Sequence, residues 1–131
     1  MTGQGPLVLV VEDDPPSLRL ACDVLTFAGF RTLSARSGEE ALDLARLRRP
    51  DIVLMDIGLP GVDGIGALGL IRADPDLAAT PVIAVTAARG PSDGDDFLTA
   101  GFDDFIPKPL EVLELPARVR RHAPGRSGAG A

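Results

Sequence analysis

Tryptophan and tyrosine are absent from this chain, and cysteine and histidine occur once each, as Cys22 and His122. A single cysteine excludes an internal disulfide and a cysteine-based metal cluster, and it suits a reducing compartment. No apolar stretch approaches the roughly 20 residues that span a bilayer, and residues 1–6 lack the basic segment that opens a signal peptide. The expectation is a cytoplasmic protein with no membrane insertion. Positive charge is also scarce. Lys and Arg number 13 against 19 Asp and Glu, a net charge of -6, so no basic face is available to neutralise a nucleic-acid backbone. Direct nucleic-acid binding is excluded on that balance.

What the chain does contain is a globular composition, 45% hydrophobic and 24% charged over 131 residues, enough for one ordinary domain and too short for two. Four short apolar runs each end on a residue able to handle a phosphate or a metal. Leu7–Val11 leads into Glu12-Asp13-Asp14, residues 52–55 into Asp56, residues 82–85 into Thr86, and Phe105-Ile106 into Pro107-Lys108-Pro109. Runs of this length, rich in Val, Ile and Leu and separated by helix-length segments, are the signature of buried parallel strands. The carboxyl ends of such strands converge on the crevice where ligands bind.

Between the runs the pattern is helical. Pro15 and Pro16 suit a helix's opening turn, Leu18, Ala21, Cys22, Leu25 and Ala28 recur at helical spacing, and Gly29 is placed to end it. Cys22 then reads as a small core residue. Residues 30–35 form a weaker strand, and Ser37 with Glu40 forms a capping box for a second helix whose apolar face is Ala41, Leu42, Leu44 and Ala45. Arg48-Arg49-Pro50 closes it, and residues 51–55 are the strongest strand. Residues 58–64, rich in glycine and proline, form a loop. The third helix, Gly64–Ala73, carries Gly66 and Gly69 and depends on packing more than on propensity. A loop over 87–94, a short acidic helix around 95–100, a last strand over 104–106 and a final helix with Pro116 in its first turn complete the domain. The organisation is thus an extension over 1–6, one domain over 7–122 and a low-complexity, disordered tail over 123–131.

Like charges crowded at neighbouring strand ends repel unless a cation joins them. Oxygen ligands from two or three carboxylates describe a Mg²⁺ site, which typically completes its coordination with a phosphoryl oxygen. Lys108 adds a point charge for that phosphoryl group, Thr86 a hydroxyl, and Asp56 stands centrally as the nucleophile. Taken singly, Asp13 and Asp14 read equally as helix N-terminal charges complementing the dipole. The conjunction of strand ends is what points to one site.

The motifs Val11-Glu12-Asp13-Asp14, Leu54-Met55-Asp56-Ile57-Gly58-Leu59-Pro60-Gly61-Val62-Asp63-Gly64, Ala84-Val85-Thr86-Ala87 and Ile106-Pro107-Lys108-Pro109 resemble the receiver domain of two-component response regulators. The resemblance runs from Leu7 to about His122. It implies a flavodoxin-like, doubly wound α/β fold: a five-stranded parallel sheet in the order 2-1-3-4-5 with five helices. It further implies that Asp56 receives a phosphoryl group from a phosphohistidine on a sensor histidine kinase or phosphotransfer protein. By the same resemblance Asp14, Asp56 and the Gly58 carbonyl ligate Mg²⁺, Asp13 acts through water, and Lys108 and Thr86 bind phosphoryl oxygens. Phe105 is the implied switch aromatic, rotating as Thr86 moves and changing the face made by the fourth helix, fifth strand and fifth helix.

Such a protein is a phosphoacceptor, not an enzyme in the ordinary sense. It works as a single-domain regulator through contact with a downstream protein. Alternatives are a receiver-fold binding module that signals without phosphorylation, a phosphate sink, and the receiver part of a hybrid kinase; the start at Met1 and the tail favour a complete small protein. A metal-dependent phosphatase using an aspartyl nucleophile needs a second acid two residues after Asp56, where Gly58 stands. By the resemblance, Gly58 and Ala88 stand where relatives carry larger or polar side chains that influence the hydrolytic water, so the expectation is a water path that is open but poorly oriented, and the loop over 88–95 together with Pro116 alters the signalling face. His122, beside Arg120 and Arg121, reads as a helix C-terminal cation and not as a phosphodonor.

Overall fold

The structure, a computed structural model, describes residues 5–57, 64–86, 101–108 and 110–122. Five strands form one parallel sheet: β1 (Leu7–Val11), β2 (Arg31–Ala35), β3 (Ile52–Asp56), β4 (Val82–Thr86) and β5 (Asp104–Pro107), in the order 2-1-3-4-5. The expected fold class is therefore the observed one. Among the described residues the helices are α1 (Pro15–Phe27), α2 (Gly38–Arg48), α3 (Gly64–Ala73) and α4 (Glu114–His122). α4 is the final helix of the sequence reading. The helix expected around 95–100 and the tail over 123–131 lie outside the described residues.

The apolar runs are continuous because both faces of the sheet are covered. Along β1, β3 and β4 every residue is buried, and side chains alternate between two cores. Leu9, Val11, Val53, Met55, Val82 and Ala84 pack with Ala41, Leu42 and Ala45 of α2 and Ala67, Leu68 and Ile71 of α3. Val8, Val10, Ile52, Leu54, Ile83, Val85 and Ile106 pack on the opposite face with Ala21 and Leu25 of α1 and Leu115 and Val119 of α4. Cys22, expected inside the core, is half-buried at the margin of this second cluster.

Local chemistry sets the element ends. Gly29 adopts a φ of 102°, the left-handed conformation that turns the chain out of α1. Ser37 caps α2, its hydroxyl accepting from Glu40 N–H at 3.1 Å, while the Glu40 carboxylate accepts from Arg36 N–H at 2.9 Å. α2 ends on Arg49, whose φ of 49° is also left-handed. Phe30 precedes β2 and is buried against the second core, and the Asp51 carboxylate accepts from Leu7 N–H at 2.8 Å, so both belong just outside the strands first assigned to them. β3 runs one residue further than expected and ends on Asp56 itself.

Candidate functional site

Parallel pairing carries all the strand ends to one edge of the sheet. Glu12 follows β1, its N–H donating to Ala35 O at 3.0 Å; Asp56 closes β3 and Thr86 closes β4. Lys108 follows β5 and donates its backbone N–H to Thr86 O at 2.8 Å. Asp56, Thr86 and Glu12 are buried, at 6%, 5% and 5% exposure, which is unusual for such side chains and requires partners.

The Lys108 ammonium supplies one. It lies 2.9 Å from Glu12 Oε1 and 3.6 Å from Asp56 Oδ1. Burial raises the Glu12 carboxyl above its ordinary value, with Asp56 adding to the shift and Lys108 and the Asp14 N–H offsetting part of it. At Lys108 burial pulls the ammonium down, but the Glu12 hydrogen bond and the charges of Asp56 and Glu12 outweigh it and hold the group above its ordinary value. Glu12, Asp13 and Asp56 each place a carboxylate oxygen within 4.8 Å of the others. Three hard oxygen donors so spaced, with one ammonium between two of them, fit a Mg²⁺ ion in the donor chemistry such ions require.

Asp14, expected to ligate the metal directly, is placed otherwise. It is the N-cap of α1, its Oδ2 accepting from Ser17 N–H at 3.1 Å and Ser17 Oγ–H at 2.6 Å. Pro15 and Pro16 have no N–H, so Ser17 offers the first free donor of the helix, and the carboxylate turns to it. These bonds, first the Ser17 hydroxyl, hold the Asp14 carboxyl below its ordinary value. Glu12, to which the sequence reading gives no role of its own, takes the inward place: one oxygen meets Lys108 and the other accepts from Asp14 N–H at 3.2 Å. The signal was the capping pattern, an Asp followed by two prolines and a serine, which claims Asp14 for the helix. Gly58 lies outside the described residues, as do residues 87–100. Phe105, two residues into β5, packs half-buried against the first core.

The family model of the response regulator receiver domain matches residues 8–120. This chain belongs to the response-regulator receiver family. The receiver is 41% identical over 115 residues to the polar-differentiation response regulator DivK of Brucella anthropi, covering 88% of this chain and 94% of that one. Among solved structures it is similar to a response regulator from Chloroflexus aurantiacus, at 33% identity and a TM-score of 0.85, covering 90% of this chain and 97% of the other. The chemotaxis response regulator CheY4 of Vibrio cholerae, 24% identical with a TM-score of 0.85 over 90% of this chain and 98% of its own, shares the fold. The receiver is thus a component of two-component signalling, and none of its described helices is long and apolar enough to cross a membrane.

Proposed function

We propose that this receiver is a cytoplasmic single-domain response regulator that accepts a phosphoryl group on Asp56 from the phosphohistidine of a sensor kinase or phosphotransfer protein. The observation that carries the reading is the buried Asp56 carboxylate with Lys108 at 3.6 Å and with Glu12 and Asp13 close by. In the transfer a carboxylate oxygen of Asp56 attacks phosphorus while the P–N bond breaks, its electron pair returning to the donor imidazole. Lys108 offers its ammonium, and Thr86 its hydroxyl, to the oxygens of the incoming group. Glu12 and Asp13, with Asp56 and the Gly58 carbonyl, are the residues that would hold Mg²⁺, and Asp14 stays with its helix. The ion, when bound, neutralises charge on the phosphoryl oxygens.

Once phosphorylated, the Asp56 side chain bears a near-dianionic phosphoryl group in place of its singly charged carboxylate, with three strong acceptor oxygens. Thr86 and Lys108 turn to them, Phe105 moves into the vacated space, and the face built on β5 and α4 changes for a protein target. Phe105 has no hydroxyl, so readout depends on ring position and not on a tyrosine-like hydrogen bond.

Incubation with Mg²⁺ and acetyl phosphate, followed by phosphate-affinity electrophoresis, tests the acceptor. The parent is expected to shift and Asp56→Asn to stay unshifted; an Asp56→Asn protein that accepts phosphate equally refutes the assignment, and a parent that no donor or kinase modifies favours a binding module independent of phosphorylation. A Mg²⁺ titration separates the acids. Asp13→Asn is expected to weaken binding on the order of tenfold or more, and Asp14→Asn to leave it nearly unchanged.

A further inference from the structure

Three residues of α4 spaced by four, Glu114, Arg118 and His122, lie along one ridge of the helix. All three bear on β5 or on each other. Arg118 Nη1 donates to Phe105 O at 2.8 Å and to Asp104 Oδ2 at 3.2 Å, while its Nη2 meets Glu114 Oε2 at 3.3 Å. His122 Nε2 lies 2.9 Å from the same Asp104 Oδ2. Asp104 in turn accepts the Phe105 N–H on Oδ1 at 2.8 Å, so side chain and backbone of two successive β5 residues are tied to one helix face. The Arg118 and Asp104 side chains are only 24% and 20% exposed, which shields the contact from solvent.

We infer that Arg118 is the positioning residue through which a displacement of β5 at Phe105 is passed to α4. The inference rests on Phe105 as the moving part of the function proposed above. Its physical basis is directional. Packing of Leu115 and Val119 against the sheet holds α4 close but does not fix its sliding or rotation, whereas the Arg118 guanidinium, steadied on its own helix by Glu114 at Nη2, reaches two points of β5 from Nη1, Phe105 O and Asp104 Oδ2. A lysine ammonium has no fixed fork with which to keep both directions. A displacement of the β5 backbone at Phe105 moves the carbonyl to which Arg118 donates and so bears directly on that bond.

Amide chemical shifts of the whole chain, recorded with Mg²⁺ before and after addition of beryllofluoride as a phosphoryl analogue, test this in the parent, Arg118→Met and Arg118→Lys. In the parent, shifts are expected at Phe105 and through residues 114–122. In Arg118→Met the Phe105 shift is retained and the α4 shifts are lost, and Arg118→Lys falls between. A merely structural role would instead weaken both responses together, or neither. An undiminished α4 response in Arg118→Met overturns the inference. If beryllofluoride leaves the surroundings of Asp56 unshifted in the parent, the phosphoacceptor reading is what fails. Phe105→Leu then serves as the perturbation: α4 shifts that depend on Arg118 support the coupling, and shifts independent of it overturn it.

Discussion

Strands β3 and β5 end at the same site but are held there by different forces. Every residue of β3 is buried, with neighbours on both edges and both faces. β5 lies at the sheet's edge, and of its residues only Ile106 is buried. Beyond its pairing with β4 and the buried Ile106, charge fixes it. Before the strand, the Asp103 carboxylate accepts from Val82 N–H at 2.8 Å and from Arg72 Nη2 at 2.9 Å, and the same guanidinium donates to Gly101 O, Ala78 O and Thr80 O. Within it Arg118 and His122 hold Asp104, and after it Lys108 spans Glu12 and Asp56.

The contrast explains how a charge event can be local in chemistry and still reach a surface. Hydrophobic burial is non-directional and barely responds to a new charge, so β3 presents Asp56 in a fixed place. Ion pairs and hydrogen bonds respond strongly to one. A phosphoryl group on Asp56 would compete with Glu12 for Lys108 and so act on the strand that depends most on charge.

The largest effect should come from the burial side. Leu54→Ala, at the middle of β3, is expected to cost about 3–4 kcal/mol in chemical denaturation, whereas a cost below about 1 kcal/mol would break the contrast. On the charge side, Arg72→Ala should cost about 2 kcal/mol, because it strips partners from three carbonyls and Asp103, and it should loosen β5 more than β3. Gly69→Ala lies outside both regions. A Cβ there meets nothing within 4 Å, so the substitution should add about 1 kcal/mol of stability while leaving phosphoryl acceptance unchanged.

The smallest expected effect is at Cys22, on the α1 side. Burial raises its thiol above the ordinary value of 9.0, with Asp23 adding and a Thr32 hydrogen bond opposing. With the folded value raised, its contribution to stability is fully present below pH 9.0 and is lost as pH climbs through the folded value. Labelling by a thiol reagent at neutral pH should be slow and should not change when beryllofluoride is added, since this side is held by burial.

Much of this is legible in the residues, for a physical reason. Strands covered on both faces must be apolar without interruption, so β1, β3 and β4 announce themselves, and whatever stands at their ends, Asp56 and Thr86 among them, is announced with them. The choice among Glu12, Asp13 and Asp14 is less legible, since three consecutive acids suit either a helix cap or a ligand set. Pro15 and Pro16 bear on it by removing the first two N–H donors, which leaves Asp14 to cap α1 on Ser17. The ties of Arg72 to Asp103 and of Arg118 to Asp104 carry no sequence signal, because those partners lie 31 and 14 positions away and meet them only through the fold. Arg49 is hidden likewise, since nothing in its side chain marks a left-handed helix end.

Hydrogen exchange of the backbone with and without phosphorylation at Asp56 is the most direct test. The expected result is altered exchange in β5 and α4 with β1 and β3 unchanged; equal change in β3 and β5, or change confined to β3, would contradict a burial-held acceptor reporting through a charge-held edge.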